Sequence, residues 1–264
     1  MNHLPFEFLS TVCRFLRRRF DKDLKNVQEI SSLWSSVSKE TQKPSINIYF
    51  YCSPNNEQIG FSIPHYSADS WANLDVKKLS NVDVASVAIR ETRGIIEDKL
   101  LDDSNIHVFR KLFTKSAFAT RLWLSLNFQI PKILSDLLAL CRIGMIGVSL
   151  VSPGLNGRIF SRGIELGTLE NIIIFKCDLD KDFLNVIEAF ARSGPFKKLS
   201  LHFANSSPVE AEEVIKTVMD LVFELRHQKK IQVRICEEWK SLYEGLIYDG
   251  SLSYDKSRLC LVAL

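Results

Sequence analysis

Six cysteines, five histidines and a short run of alternating aspartates are the residues of this chain best suited to chemistry. A metal site needs ligands at fixed short spacing, so that one turn or strand end supplies two of them. Cys13, Cys52, Cys141, Cys177, Cys236 and Cys260 are scattered, with no CxxC or CxxxC pair, and several lie inside apolar runs. They read as buried, reduced thiols rather than zinc ligands. His3, His65, His107, His202 and His227 stand apart from one another, and each reads as a surface or partly packed residue, not a base or a ligand. Asp178, Asp180 and Asp182 alternate as cation-loop ligands do, but the glycine and terminal glutamate of such a loop are missing. They read as a helix N-cap with an acidic first turn. Ser152-Pro153-Gly154-Leu155-Asn156-Gly157 lacks the Lys-Ser/Thr and the glycine spacing of a phosphate loop and reads as a turn. No G-x-S-x-G elbow and no H-x-x-x-H pair occurs. These residue types predict no catalytic, metal or cofactor site, and so a protein that is not an enzyme.

Binding then depends on which side chains the elements turn outward. From about residue 119 the apolar residues repeat in one frame: Ile143, Ile146, Val148, Val151; Leu169, Ile172, Ile174, Cys177; Phe196, Leu199, Leu201, Ala204. The second position falls at Leu122, Ile146, Ile172 and Leu199, spaced by 24, 26 and 27 residues, before it stretches to Ile231. Strands are predicted at 121–127, 144–151, 171–176, 198–203 and 231–235, with helices at 131–141, 157–166, 181–192 and 208–227. The fold class expected is α/β, a leucine-rich-repeat-like stack of β-α units, none of which can bury its faces alone. Right-handed crossovers in an ordinary parallel sheet leave nearly the same trace.

Side chains alternate along a strand, so the positions between the apolar ones share the opposite face. These are Trp123, Ser125, Gly147, Ser149, Ile173, Phe175, Ser200, His202, Gln232 and Arg234. If that face is open, Trp123, Ile173 and Phe175 form an apolar partner-binding patch flanked by His202 and Arg234. If helices or the tail cover it, they are core. Upstream, strands are predicted at 46–50, 59–63 and 82–89, a turn at 53–58, a loop at 64–75, and helices at 95–101 and 106–113. In the tail, an Asp249-Gly250 turn and a strand at 258–264 predict a hairpin that closes the sheet edge.

The first 44 residues follow a different period. Phe6, Leu9, Val12, Cys13 and Leu16 recur at helical spacing behind Pro5. Leu24, Val27, Ile30, Trp34 and Val37 make a second amphipathic helix, capped by Asp21 or Asp23 and ended by Pro44. A helical module at 1–44 and an α/β domain at 45–264 are therefore expected. So small a module cannot bury all its apolar residues, and it must dock on a partner or pack on its own C-terminal domain. The net charge is +3, and of the 34 basic and 31 acidic residues eight and five lie in 1–44, which leaves 26 of each beyond. A neutral body argues against a phosphate-tracking surface, so no nucleic-acid partner is expected. No apolar run is long enough to cross a membrane, and Glu7 interrupts what would be a signal-peptide core. The expected location is cytoplasmic or nuclear.

Leu4, Pro5 and Glu7 open the chain as Leu-Pro-x-Glu, and Leu24, Val27, Ile30, Ser31 and Trp34 close the module with an apolar-Ser-x-x-Trp element. In this the first forty residues resemble an F-box. Leu33 stands where a basic residue is usual, and Arg17, Arg18 and Arg19 occupy the usual break between helices. Ser193-Gly194-Pro195-Phe196-Lys197-Lys198-Leu199 is similar to the Ser-x-Pro-Phe-x-x-Leu element of a group of nematode F-box-like proteins, a resemblance that covers most of the chain. It implies a non-catalytic substrate adaptor of a cullin-based ubiquitin ligase, monomeric outside the complex and without a cofactor. Leu4, Pro5, Glu7, Phe8, Ile30 and Trp34 would dock on a Skp1-type linker. Trp123, Ile173, Phe175, His202 and Arg234 would face an unknown protein substrate. The alternative is a member whose F-box has decayed, acting as an interaction module or a toxin or antidote partner.

Overall fold

The computed structural model describes residues 34–37, 45–54, 56–64, 82–92, 99–116, 119–149, 156–203, 211–225, 232–235, 252–255 and 260–263, with Leu9, Val12 and Cys13 before them. The chain divides into two units, Met1–Ser45 with Asn81–Asp83, and Ile46–Ser80 with Val84–Leu264. In the first, Leu9, Val12, Cys13 and residues 34–37 are helical. Leu9 and Cys13, four apart, and Trp34 and Val37, three apart, each share a helix face. These four form one buried cluster, with Val12 packed against it. The remainder of both predicted helices lies outside the described residues.

Alternation sets the sheet of the second unit. β1 (Ser45–Ser53) buries Ile46, Ile48, Phe50 and Cys52 and turns Asn47, Tyr49 and Tyr51 the other way. β2 (Asn56–Ser62) returns antiparallel, closing at Ser53↔Asn56. The turn is thus tighter than the 53–58 predicted, because Asn56 already belongs to the ladder. β3 (Asp83–Glu91) follows, then β4 (Lys99–Leu100), which pairs antiparallel with β2. Of the helix predicted at 95–101, Lys99 and Leu100 are strand instead, and 95–98 lie outside the described residues. The open edge of β2 draws Lys99 and Leu100 into a short strand, and Leu101 donates its N–H to the Ile59 carbonyl at 2.7 Å.

The remaining elements alternate: α1 (Asp103–Lys115), β5 (Thr120–Ser125), α2 (Lys132–Leu138), β6 (Ile143–Ser149), α3 (Gly157–Glu165), β7 (Asn171–Cys177), α4 (Lys181–Arg192), β8 (Lys198–Phe203), α5 (Ala211–Leu225) and β9 (Gln232–Ile235). β10 (Leu252–Asp255) and β11 (Cys260–Ala263) end the sheet. Helix ends carry local signals. Asp102 and Asp180 cap α1 and α4, accepting the N–H of Asn105 and Phe183, each at 2.8 Å. α3 stops where Gly167, at φ +61°, lets Thr168 and Gly167 donate back to the carbonyls of Gly163 and Ile164.

The described strands form one 11-stranded sheet in the order β10-β11-β9-β8-β7-β6-β5-β3-β1-β2-β4. β3, β5, β6, β7, β8 and β9 run parallel, each beside the one before. β1 runs with β3. Ser86 donates to Asn47 near the start of both strands, and Thr92 donates to the Cys52 carbonyl near their ends. The tail closes the β9 edge through β11, antiparallel to it. The β10–β11 hairpin closes between Asp255 and Cys260, and the turn predicted at Asp249-Gly250 lies outside the described residues.

Right-handed crossovers between sequential neighbours place α1 to α5 on one side of the sheet, so the opposite face is helix-free as far as these five go. Phe109 of α1 meets Phe50 and Phe61 edge-on at 5.4 and 5.0 Å, and Phe160 of α3 meets Phe183 of α4 at 5.3 Å. On this side Val87, Leu122, Ile146, Ile172, Leu199 and Val233 stand in one row across six strands, each at most 1% exposed. The fold is mixed α/β with a mostly parallel sheet, and the apolar frame of the sequence is the helix-side row. Among the described residues no helix is long and apolar enough to cross a membrane.

Candidate functional site

A row buried on one side fixes a row on the other. Ala88, Trp123, Gly147, Ile173, Ser200 and Arg234 lie side by side on the helix-free face. Two residues earlier run Ser86, Arg121, Met145, Asn171, Lys198 and Gln232. Two residues later stand Arg90, Ser125, Ser149, Phe175 and His202.

Trp123 and Phe175 are the exposed aromatics of this face, at 41% and 45%. The indole of Trp123 lies flat over Gly147. A Cβ at residue 147 would come within 2.2 Å of Cε3 and 2.3 Å of Cζ3, so the missing side chain is the ring's seat. Phe175 precedes a bulge, after which Cys177 rather than Lys176 pairs with Phe203. Lys176 takes the extra place at φ +51°, uncommon for a residue with a side chain. The bulge leaves Phe175 exposed, with the Lys176 Nζ 5.7 Å from its ring centre and the His202 ring 5.5 Å away. His202 is half-buried, as are Ile173 and Arg234. The Arg234 Nε is buried without a hydrogen-bond partner among the described residues.

Beside Trp123 the face dips into an open depression of about 450 Å³, lined among others by Asn47, Tyr49, Ser86, Arg90, Trp123 and Ser149. The Ser86 hydroxyl donates to Asn47 Oδ1 at 2.6 Å, and the Arg90 guanidinium stacks 4.7 Å over the Tyr49 ring. Asn47, Tyr49, Ser86 and Arg90 were not among the sequence-predicted site residues, because β1 and β3 precede the repeating frame. Their signal is the same alternation, read one strand further toward the N-terminus.

Of the residues expected to dock a linker, Leu4, Pro5, Glu7, Phe8 and Ile30 lie outside the described residues. Trp34 is 7% exposed, within the cluster of Leu9, Cys13 and Val37. Trp123, Ile173, Phe175, His202 and Arg234 come together on the one helix-free face. Cys13, Cys52, Cys141 and Cys177 are buried free thiols. Burial pushes the Cys13 and Cys141 thiols up, and that of Cys52 up to about 12, so these three stay protonated near neutral pH. The chain matches no family model, no curated protein and no solved structure.

Proposed function

We propose that this protein is a non-catalytic adaptor that holds another protein on the helix-free face of its sheet. Its F-box-like first forty residues would dock on a Skp1-type linker of a cullin ubiquitin ligase, in the cytoplasm or nucleus. The observation that carries the reading is the central row, where Trp123 lies flat over Gly147, beside Ile173, and stays solvent-exposed. Exposed aromatic and aliphatic side chains within a polar surround are what protein interfaces use as anchors. The helix layer is then scaffold, in a leucine-rich-repeat-like stack whose β-α units present a continuous surface.

Co-purification with the Skp1-type linker tests the ligase half. The full-length protein is expected to retain the linker, and Pro5→Ala with Phe8→Ala to lose it. Folded protein that retains none overturns that half. One observation favours the second reading, an interaction module without ligase binding. Trp34, the residue that closes the motif, is spent inside the module's own cluster. Partners recovered without linker or cullin would favour that reading, and the sheet face keeps its role under either.

A further inference from the structure

Beyond residue 44 the chain is neutral in sum, with 26 basic and 26 acidic residues, and the sum hides where they stand. The three rows of the helix-free face hold Arg90, Arg121, Lys198 and Arg234, and Lys176 joins them at the bulge. From β3 to β9 they hold no aspartate and no glutamate, and beyond β9 the register carries the central row through Cys260 to Asp255 at the sheet edge. The outward residues of β1, Asn47, Tyr49 and Tyr51, add none. Carboxylates of the same unit collect on the helix layer. Asp102 and Asp180 are caps, Asp103, Asp182, Glu212 and Glu213 sit in first turns, and Glu224 pairs with Arg192. The helices carry basic residues too, among them Lys111, Lys132, Arg158 and Lys216, so the asymmetry lies in the sheet face, whose rows from β3 to β9 set cations around the exposed aromatics without a carboxylate.

We propose that this face takes an extended acidic segment of a protein partner, its carboxylates meeting Arg90, Arg121 and Arg234 around an apolar side chain seated at Trp123 and Ile173. The inference rests on the reading of the face as the binding surface and names the chemistry it selects. Arg90 and Arg234 are five strand spacings apart, about 24 Å, which an extended segment of about seven residues spans. A protein segment fits better than single-stranded nucleic acid. A phosphate at every nucleotide calls for a continuous cationic track. Between the arginines this face offers Ser125, Gly147, Ser149, Met145 and Ser200 instead.

The test is an array of random synthetic peptides probed with the full-length protein, its Arg121→Glu/Arg234→Glu variant and its Trp123→Ala variant, each first shown to unfold at the wild-type midpoint. Retained peptides are expected to combine several carboxylates with one aromatic or leucine. Their affinity is expected to fall at least about tenfold with the double charge reversal and to weaken as salt rises. Neutral or basic peptides that bind equally to the charge-reversed protein overturn the inference. If Trp123→Ala still abolishes them, the face remains the binding surface and only its acidic preference fails. Oligo-dT displacing the best peptide through the same arginines overturns it in favour of nucleic acid. Wild-type protein that retains no peptide overturns both the preference and the face.

Discussion

Trp123 can lie flat because residue 147 has no side chain to lift it. Gly147→Val should force the indole off the sheet, at a cost of about 1–3 kcal/mol if the strands must also shift. Trp123 emission, isolated by subtracting the spectrum of Trp123→Phe, is expected to move to longer wavelength, and peptide binding to fall with it. An unchanged spectrum would mean the ring does not depend on that glycine. Lys176 is the other strained point. At φ +51° a glycine fits where lysine does not, so Lys176→Gly is expected to raise stability by up to about 1 kcal/mol, and a β-branched Lys176→Val to lower it. Urea unfolding reads both signs. Cys52 supplies an alkaline signature. Its folded thiol ionises at about 12 rather than 9.0, so its contribution is fully present below pH 9.0 and is lost as pH rises toward 12. A thiol reagent at mildly alkaline pH should label Cys52 only in unfolded protein.

Helix ends and helix pairs act at the next scale. Asp180 caps α4 through the Phe183 N–H, and Asp180→Ala is expected to cost about 1 kcal/mol, with Asp180→Asn nearly neutral. α4 and α5 are joined by Arg192 and Glu224, whose two hydrogen bonds measure 2.7 and 3.0 Å. The hydrogen bond from Arg192 holds the Glu224 carboxyl below its ordinary value. The pairing therefore adds stability above the ordinary carboxylate pKa and loses it as pH falls through the lowered one. Wild type and Glu224→Gln should differ slightly in thermal midpoint at neutral pH and converge in acid, the difference kept small by solvent at both side chains. The parallel strands and their helices could be read from sequence because each strand sends apolar side chains such as Ile172 and Ile174 to the helix side, at a period no helix shares. Lys99 and Leu100 could not. Two residues carry no period, and β2 alone makes them a strand. The tail hairpin is there as β10 and β11, and Asp249-Gly250 lies outside the described residues.

At the scale of the molecule, α1 to α5 share one side because each parallel strand lies beside its predecessor, and the opposite face carries the exposed Trp123 and Phe175. The row of Trp123, Ile173 and Arg234 was legible once the apolar frame fixed the register. The run of cations on the face was not, because a net charge adds Arg121 and Lys198 to carboxylates that stand elsewhere in the unit. Summing charge over alternate strand positions would have found it. The docking role of the first forty residues rests on their motif alone, so the central claim lies with the face. Its most direct measurement is site-specific photocrosslinking in cell extract, with a photoreactive phenylalanine analogue at position 123 and, separately, at position 188 on the outer side of α4. The account predicts a discrete protein adduct from position 123, competed away by an excess of unlabelled protein, and none from position 188. Adducts from position 188 alone, or none from position 123 in folded protein, would contradict it.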